Sequence, residues 1–293
     1  MRILPSDIKT AQFHAYLLSA VAPRPICFAS TIDDNGISNL SPFSFFNCFG
    51  SKPPILVFSP ARRVRDNTIK HTLENVYANK EVVINMVNYN MVQQMSLASC
   101  EYPKGVDEFV KAGFTPIASD IVKPYRVKEA PVQMECKVLQ VLEMGQEGGA
   151  ANLVICEVLC MHIHDDVLDE HGMIDPQKID LVARMGADYY CRASGNSVFE
   201  VPKPNKELGI GIDSLPEKIK NSSILTGNNL GMLANCTSIP VVADILYDDR
   251  LVHIMQENEN DDLARRTALH NYAKELLDNN NVDKAWQVLL SGE

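Results

Sequence analysis

Apolar and polar residues alternate in short runs through the first two thirds of the chain, with Gly, Asn, Asp and Pro between the runs. This pattern predicts β-strands at residues 26–32, 37–46, 55–59, 81–87, 132–142 and 153–163. Asn35-Gly36 supplies the positive φ angles of a tight hairpin between the first two strands. Pro42 cannot donate a ladder hydrogen bond, so the second strand is expected at a sheet edge or at a bulge. Strands that follow one another without regular crossover helices favour an antiparallel, Greek-key barrel over a doubly wound parallel sheet.

Other segments show the apolar spacing of helices, which are predicted at residues 6–18, 89–98 and 107–112. A further helix is predicted to start at Asp66, with Ile69, Leu73 and Val76 on one face. The composition changes near residue 202, where Pro202 and Pro204 indicate a linker. Helices are then predicted at residues 216–220, 227–235, 261–278 and 282–290. The sequence thus predicts a mainly β domain with helical insertions over residues 1–201. It also predicts a mostly helical extension over residues 202–293, which packs on the barrel or on a dimer.

Composition and charge narrow the classes of function. Hydrophobic residues make up 46% of the chain, which is enough for a substantial core. A net charge of −10 argues against a sequence-independent nucleic-acid-binding protein, so an anionic ligand would need a local basic cluster. No signal peptide or apolar run of membrane-spanning length is visible, and the eight cysteines are therefore expected to be reduced thiols in a cytoplasmic protein.

A phosphate site is predicted at Arg65-Asp66-Asn67-Thr68. These residues place a cation, a capping side chain and a hydroxyl at the start of the predicted helix, where free N–H groups and the helix dipole favour an anion. No G-x-G-x-x-G motif follows the first strand, which disfavours the dinucleotide-binding class that depends on it. A strand-rich domain beside a phosphate site suggests a nucleotide-like cofactor.

Several short sequence motifs, in the same order along the chain, resemble those of the flavin reductase-like family of FMN-binding split barrels. This family includes flavoredoxins and reductase components of flavin-dependent oxygenases. The early words are Pro23-Arg-Pro, Ala29-Ser-Thr with Asp-x-x-Gly, Asn39-Leu-Ser-Pro-Phe-Ser-Phe-Phe-Asn, and Pro53-Pro with Phe58-Ser. Arg65-Asp-Asn-Thr stands at the position of the family's phosphate-binding motif (its phosphate word). Two later motifs of the family are resembled by residues 153–162 with Asp165, and by Ala183-Arg-Met-Gly with Tyr189 and Tyr190. The match covers roughly residues 10–200. The chain departs from the pattern at Asn67, within the phosphate word, and at Ala187, where a second glycine is common.

The resemblance implies a homodimer that holds FMN near the subunit interface, with NADH or NADPH as reductant. The implied FMN contacts are Ser30 and Thr31 near the ribityl-phosphate, Asn39, Ser44, Phe45, Phe46 and Asn47 along the ring and ribityl chain, Arg65, Asn67 and Thr68 at the phosphate, and His162, Arg184 and Tyr189 elsewhere in the site. Backbone N–H groups near Pro42 would suit the edge of a ring that becomes negatively charged on reduction. The dianionic phosphate suits charge-assisted hydrogen bonds from Arg65 and hydroxyls.

Plainer interpretations stay open for the same residues. Asn39, Ser44 and Asn47 are common turn and bulge residues, and Arg62 and Arg63 suit a solvated surface. His162, His164, Cys160 and Cys156 are predicted to share one strand face, which is a row and not a converging metal cage, so no metal is predicted. Cys48 follows the implied flavin strand, where it is either a redox-active thiol or a buried structural one.

The leading hypothesis is an FMN-dependent NAD(P)H:flavin oxidoreductase that passes reducing equivalents to free flavin or to a partner such as a flavin-dependent oxygenase. The flavin would supply the chemistry, so no catalytic side chain is predicted. One alternative is a flavoredoxin-like electron carrier without efficient NAD(P)H activity of its own. Another is a non-enzymatic split barrel that binds haem or a similar planar ligand, which the phosphate word disfavours. The acceptor, the choice of NADH or NADPH, and tight or diffusible FMN stay open.

Overall fold

The structure is a computed structural model that describes residues 1–202, 207–241 and 248–292. It divides into two compact units, Met1–Phe199 and Glu200–Glu293. Pro204, half of the predicted linker, lies outside the described residues. None of the helices in the described ranges is long and apolar enough to cross a membrane.

The first unit is built around an antiparallel sheet of seven strands in the order β2-β1-β5-β8-β9-β4-β3. These strands are β1 Cys27–Ile32, β2 Ser38–Phe43, β3 Phe46–Ser51, β4 Pro54–Phe58, β5 Glu81–Met86, β8 Val132–Glu143 and β9 Asn152–Ile163. Two small ribbons accompany it, one of β6 Pro116–Ile117 with β7 Arg126–Val127 and one of β10 Val182–Arg184 with β11 Tyr190–Arg192. The antiparallel barrel predicted from the sequence is confirmed.

The two edge strands of this sheet, β2 and β3, are joined by only two residues, Ser44-Phe45, which we call the seam. Three Cα steps separate Phe43 from Phe46, so these ends lie at most about 11 Å apart. Since the first and last strands of the order meet there, the sheet must curl into a barrel that is split along one side. The rings of Phe43 on β2 and Phe58 on β4 approach to 5.5 Å across this side. Pro42 lies on the edge strand β2, as its missing N–H predicts.

Alternating residues of β1 face two different cores. Cys27 and Ala29 pack inside the barrel with residues such as Phe58, whereas Ile26 and Phe28 pack outside with helical segments. The helices of this unit are α1 Thr10–Ala20, α2 His71–Asn79, α3 Val92–Leu97 and α4 Glu108–Ala112. Helix α2 contributes Leu73 and Val76 to the barrel core. Strand β1 is therefore buried on both faces, which explains why it was recognisable from a short run of apolar and β-branched residues.

Two predictions for residues 26–79 are wrong. The sequence predicts three strands up to residue 59, whereas the chain forms four, because residues 46–51 make the separate edge strand β3. Strand β3 is largely exposed and lacks the alternation that identifies half-buried strands. The helix predicted from Asp66 begins at His71 instead. Asn67 has a φ of 57°, which cannot continue a right-handed helix.

The second unit is helical, as predicted. Its helices are α5 Glu217–Lys220, α6 Gly227–Ala234, α7 Asp249–Glu257, α8 Asp262–Asp278 and α9 Val282–Leu290. The sequence did not predict α7, whose first residues follow the undescribed segment 242–247. Its core includes Trp286, the chain's single tryptophan, and the aliphatic residues Leu233, Leu251, Leu269 and Leu277.

Candidate functional site

The seam brings the end of β2 and the start of β3 next to the loop that follows β4. The backbone N–H of Ser59 donates to the carbonyl oxygen of Phe45 at 2.9 Å, which continues the ladder beyond β4. The Phe45 side chain is 41% exposed, and the ring of His14 on α1 lies edge-on to it at 6.0 Å. Ser44 is half-buried and Asn47 is exposed. The four predicted ring-binding residues, Ser44, Phe45, Phe46 and Asn47, therefore follow one another along the split of the barrel.

Residues 61–70, which we call the basic loop, run from Ser59-Pro60 to the start of α2. Arg62 donates from Nε to Asn67 Oδ1 and from Nη2 to the Asn67 carbonyl, both at 2.7 Å. Asn67 Nδ2 donates to the carbonyl of Gln146 at 2.8 Å, which ties the loop to the β8–β9 turn. Asn67 thus has an internal structural role, and its predicted contact with phosphate stays a prediction.

Asp66 organises a turn in place of the predicted helix cap. Its Oδ1 accepts hydrogen bonds from the hydroxyl and the backbone N–H of Thr68, at 2.6 and 3.1 Å. These two hydrogen bonds, the hydroxyl first, lower the pKa of Asp66 to about 2. The N-cap of α2 is Lys70, which provides no side-chain capping bond. Anion binding here therefore depends on side-chain cations more than on the helix dipole that the sequence suggested.

Three basic groups, Arg63, Lys70 and His71, lie at the end of the basic loop. Arg63 donates from Nη1 to Thr68 Oγ1 at 3.0 Å and to the Ile69 carbonyl at 2.6 Å. The Lys70 ammonium lies 5.6 Å from the centre of the Phe43 ring, at the end of β2. Burial, and then the positive charge of Arg63, lower the pKa of Lys70. Burial also lowers the pKa of His71. Lys70 thus places a positive charge of the basic loop next to the end of β2, beside the seam.

Glu101 supplies the nearest opposing carboxylate. Its Oε1 lies 3.1 Å from Arg63 Nε, and its Oε2 lies 2.9 Å from Arg65 Nη2. Partial desolvation alone would raise the pKa of Glu101, but Arg65 and Arg63 hold it below its ordinary value. The sequence did not predict Glu101 as a neighbour of Arg65, because the two residues are far apart in the chain and adjacent only in the folded structure.

Three predicted contact residues, Ser30, Thr31 and Asn39, are buried on β1 and β2. Asn39 Nδ2 donates to both carboxylate oxygens of Glu108 on α4, at 3.1 and 3.2 Å. Asn39 Oδ1 accepts a hydrogen bond from Thr72 on α2 at 2.7 Å, and Asn75 donates to Thr31 at 3.1 Å. This network holds α2 and α4 on the sheet. Ser30 Oγ is a buried hydroxyl for which the described residues provide no partner.

His162 lies far from the basic loop within one chain. The first residue of β9, Asn152, donates from Nδ2 to the carbonyl of Pro60, beside the basic loop, at 3.0 Å. His162 is ten residues further along the same strand, which corresponds to roughly 30 Å at 3.3 Å per residue. His162 Nε2 instead lies 2.7 Å from Glu135 Oε1.

The strand face predicted for the histidine-cysteine row is partly wrong. A bulge offsets β8 and β9 so that Val158 pairs with Cys136 whereas Cys160 pairs with Glu135. Cys156 consequently faces the barrel core, and Cys160 joins His162 on the opposite face.

Glu135, Cys160 and His162 offer ligand atoms within 4.8 Å of one another, which is a possible metal-ligand grouping. Both oxygens of Glu135 are already engaged, since they accept backbone hydrogen bonds from Asp120, Ile121 and Val122 at 2.7–3.1 Å. Burial alone would raise the pKa of Glu135, but the Asp120 N–H, His162 and the other two N–H groups lower it. This carboxylate therefore anchors the loop at residues 120–122.

Arg184 and Tyr189 belong to the β10–β11 ribbon and not to the basic loop. The Arg184 guanidinium lies 4.7 Å from the centre of the Tyr190 ring, and Tyr189 is 74% exposed. A cavity of about 190 Å³ beside this ribbon is lined in part by Tyr89, Tyr190 and Arg192. Arg192 forms two 2.7 Å hydrogen bonds with Asp180, so its charge is already neutralised. The basic loop, with three arginines and Lys70 within ten residues, is the better candidate for binding an anion.

The comparisons with known proteins agree with this arrangement. The flavin reductase like domain model matches residues 19–180, which is more than half of the chain. The chain belongs to the flavin reductase-like family. An uncharacterised relative from Aquifex aeolicus is 39% identical over 185 residues, which cover 63% of this chain and 92% of the relative. The second unit lies outside the residues that the family model matches.

Solved structures support the split-barrel fold of this family member. Nitrilotriacetate monooxygenase component B from Bacillus cereus has a TM-score of 0.64 and 24% identity, covering 69% of this chain and 98% of that one. The 2-nitrobenzoate 2-nitroreductase NbaA from Pseudomonas fluorescens has a TM-score of 0.61 and 25% identity, covering 69% of this chain and 96% of that one. The resemblance predicted from the sequence words is confirmed, and the family indicates a flavin cofactor.

The residues present fit a phosphorylated flavin. Arg63 and Arg65 present guanidinium groups, which match a phosphate with charge-assisted hydrogen bonds. The partly exposed Phe45 at the seam provides an apolar surface beside the basic loop. Lys70 and His14 were not predicted as candidate contacts, because their neighbours Phe43 and Phe45 are adjacent to them only in the folded chain. Arg63 was expected mainly as a surface charge, with contact to phosphate or to a pyridine nucleotide as the alternative.

Proposed function

We propose that this protein is an FMN-binding oxidoreductase that takes reducing equivalents from NADH or NADPH and passes them to free flavin or to a partner acceptor such as a flavin-dependent oxygenase. The observation that supports it most is the placement of the basic loop against the seam. In an acidic chain, Arg63 and Arg65 of this loop lie together on the carboxylate of Glu101, and Lys70 lies 5.6 Å from the Phe43 ring at the end of β2.

In this proposal the chain's residues bind and orient, and the bound flavin supplies two-electron redox chemistry. Arg63 and Arg65 would hold the phosphate, while Asp66 and Thr68 keep the loop in the turn that presents both arginines. Asn67 and Arg62 would fix the loop to the rest of the barrel. Phe45 and the backbone around it would cover one side of the ring.

A second copy of the chain is part of the proposal. Strand β3, which begins at the seam, exposes the large apolar side chain of Phe49 at 69%, and the far end of β9 exposes Met161 at 49%. Exposed apolar surface of this kind is typical of an interface. A homodimer would also bring His162 of one copy towards the seam of another, whereas the two lie far apart within one chain. Light scattering after size exclusion would measure a dimer if this is correct, and a monomer would remove the second copy from the proposal.

The test begins with the visible absorption spectrum of the purified protein after addition of FMN and desalting. Retained flavin bands would show binding, and anaerobic titration with NADH and with NADPH would then show which of them reduces the flavin. Fast reduction supports the oxidoreductase. Slow reduction by both nucleotides, with fast reduction by an added reductase, would favour the electron carrier. Failure to bind FMN, together with no reduction of free FMN in a steady-state assay, would refute the proposal.

The phosphate assignment makes a separate prediction. Arg65→Ala should weaken FMN binding about tenfold, because one charge-assisted hydrogen bond to phosphate is lost. Binding of riboflavin, which lacks the phosphate, should not change. Arg250→Ala is the matched control, since Arg250 is also an exposed arginine paired with a glutamate, in the second unit. Equal losses for FMN and riboflavin, measured by fluorescence titration, would place Arg65 away from the phosphate.

A further inference from the structure

One carboxylate bridges the two arginines of the phosphate site. Glu101 contacts Arg63 Nε with one oxygen and Arg65 Nη2 with the other, at 3.1 and 2.9 Å. The three side chains are 16%, 76% and 44% exposed for Arg63, Arg65 and Glu101, respectively. Glu101 follows α3 on the chain and is distant in sequence from both arginines.

The fold does not depend on this bridge. Arg65 and Glu101 are largely solvated, and exposed ion pairs add little stability because water screens them and the side chains lose freedom. Arg63 is held independently through Nη1 by Thr68 Oγ1 and the Ile69 carbonyl. The arginine cluster should therefore keep its place when Glu101 is absent.

The bridge nevertheless uses the donors that a phosphate would use. Carboxylate and phosphate oxygens form the same charge-assisted hydrogen bonds with guanidinium groups, so both cannot occupy them together. Asp66, the other carboxylate at Arg65, is fixed to Thr68 and contacts Arg65 at a longer 3.3 Å. Glu101 is thus the acidic group placed to compete with a bound anion.

We propose that Glu101 acts as a competing anion in the flavin-phosphate site, which phosphate must displace from Arg63 and Arg65 and which thereby lowers the affinity for phosphorylated flavin. This inference rests on the proposed function and concerns how firmly that site holds its ligand. It predicts that bound FMN exchanges with free FMN in solution. The contacts of phosphate with Arg63 and Arg65 are partly offset by the loss of the contacts that these arginines make with Glu101. It also makes Glu101 a residue that sets the preference between phosphorylated and unphosphorylated flavin.

The first experiment compares dissociation constants for FMN and riboflavin in the full chain and in Glu101→Gln. Removing the charge should strengthen FMN binding about tenfold and leave riboflavin unchanged, since only FMN competes with the carboxylate. Glu74→Gln is the matched control, because Glu74 is a nearby carboxylate paired with Lys104 at 2.7 Å, outside the arginine bridge. This control should leave FMN binding within about twofold of the unchanged chain.

Each other outcome has a defined meaning. Unchanged or weaker FMN binding in Glu101→Gln would overturn the inference, as would an equal gain for riboflavin or an equal gain in Glu74→Gln. FMN binding by the unchanged chain would meanwhile leave the proposed function standing. If the unchanged chain bound neither flavin, the proposed function and this inference would both be overturned.

A double-mutant cycle tests whether Glu101 acts through Arg65. In an Arg65→Ala background, Glu101→Gln should strengthen FMN binding much less than about tenfold, because one of the two contested donors is gone. Raising the salt concentration should also reduce the difference between Glu101→Gln and the unchanged chain, since exposed charges are screened. The full gain in the absence of Arg65, or a gain that does not depend on salt, would show that Glu101 does not compete at the arginines.

Discussion

At the scale of single residues, polar groups in this chain divide into those that fix the backbone and those that remain open to a ligand. Asn39, Thr31, Thr72 and Asn75 form hydrogen bonds to one another deep in the first unit. Arg65, by contrast, is exposed, and its partners among the described residues are the carboxylates of Asp66 and Glu101. Burial therefore separates the polar groups that fix the structure from those that a ligand can reach.

Glu108 provides a prediction for the buried network. Its side chain is almost fully buried and accepts hydrogen bonds from Asn39 Nδ2 and from the backbone N–H of Leu40. Glu108→Gln would turn an amide NH₂ group towards these donors, so we expect a loss of about 1–3 kcal/mol in the free energy of unfolding near pH 4.5. Urea unfolding of both proteins measures it, with the exposed Glu170→Gln as control.

The pH dependence of that difference has a definite sign. Burial raises the pKa of Glu108, against the hydrogen bonds from Leu40 and Asn39. The folded state therefore holds the proton more tightly, and the stability from Glu108 is complete below its ordinary pKa and declines as pH rises towards the raised value. The difference between the unchanged chain and Glu108→Gln should narrow with rising pH above 4.5. A difference that widened over this range would contradict the raised pKa.

The sequence predicted Arg65 and Thr68 as phosphate contacts because the phosphate motif is local, and these contacts stay predictions. The conformation of the basic loop was not predicted correctly. Where the sequence predicted the start of a helix, the chain forms a turn, with a left-handed φ at Asn67 and hydrogen bonds from Thr68 to Asp66. The spacing of apolar residues does not determine either feature. The Glu101 bridge joins residues far apart in the chain, which a single sequence does not reveal.

At the scale of elements, strands with a buried face were predictable and the exposed edge was not. Strand β8 is buried over its first five residues and β9 alternates between buried and half-buried residues over its first six, whereas β3 is exposed nearly throughout. The bulge between β8 and β9 separates Cys156 from the predicted row of His162 and Cys160, because one extra residue turns the following side chains to the other face.

The end of α2 provides a prediction at this scale. Lys80, its exposed C-terminal cap, has a φ of 56°, a left-handed conformation that costs a residue with a Cβ about 1–2 kcal/mol. Lys80→Gly should raise the free energy of unfolding by about 0.5–1 kcal/mol, because glycine adopts this conformation without that penalty but loses more freedom on folding. Lys80→Ala is the control and should give no such gain. Equal stabilisation by alanine in urea unfolding would show that the conformation is not the cause.

At the scale of the whole molecule, the barrel carries all the residues of the proposed site, and the helical unit has a core of its own. We propose that the two units are separate domains. The order of the family's motifs made the barrel recognisable from the sequence, but no motif in the helical unit indicated its function.

Truncation tests this division. Residues 1–199 alone should bind FMN within about twofold of the full chain, because all the residues of the proposed site belong to the first unit. Trp286 is the single tryptophan and is 1% exposed in the helical core, so its emission reports the unfolding of that unit, whereas flavin absorption reports the barrel. A truncated protein that keeps its β-sheet circular dichroism and loses FMN binding would contradict the division.

The seam has a consequence for solubility. Strands β2 and β3 each have one edge that pairs with no strand of the sheet, and such edges are templates for addition of strands from other molecules. Ser44-Phe45 holds the two edges near one another by a covalent connection. A cut between these two residues, by a protease or by circular permutation, would leave every strand pair of the seven-stranded sheet possible but would release an open sheet with two free edges. The short connection that presents the site thus also protects the protein against aggregation.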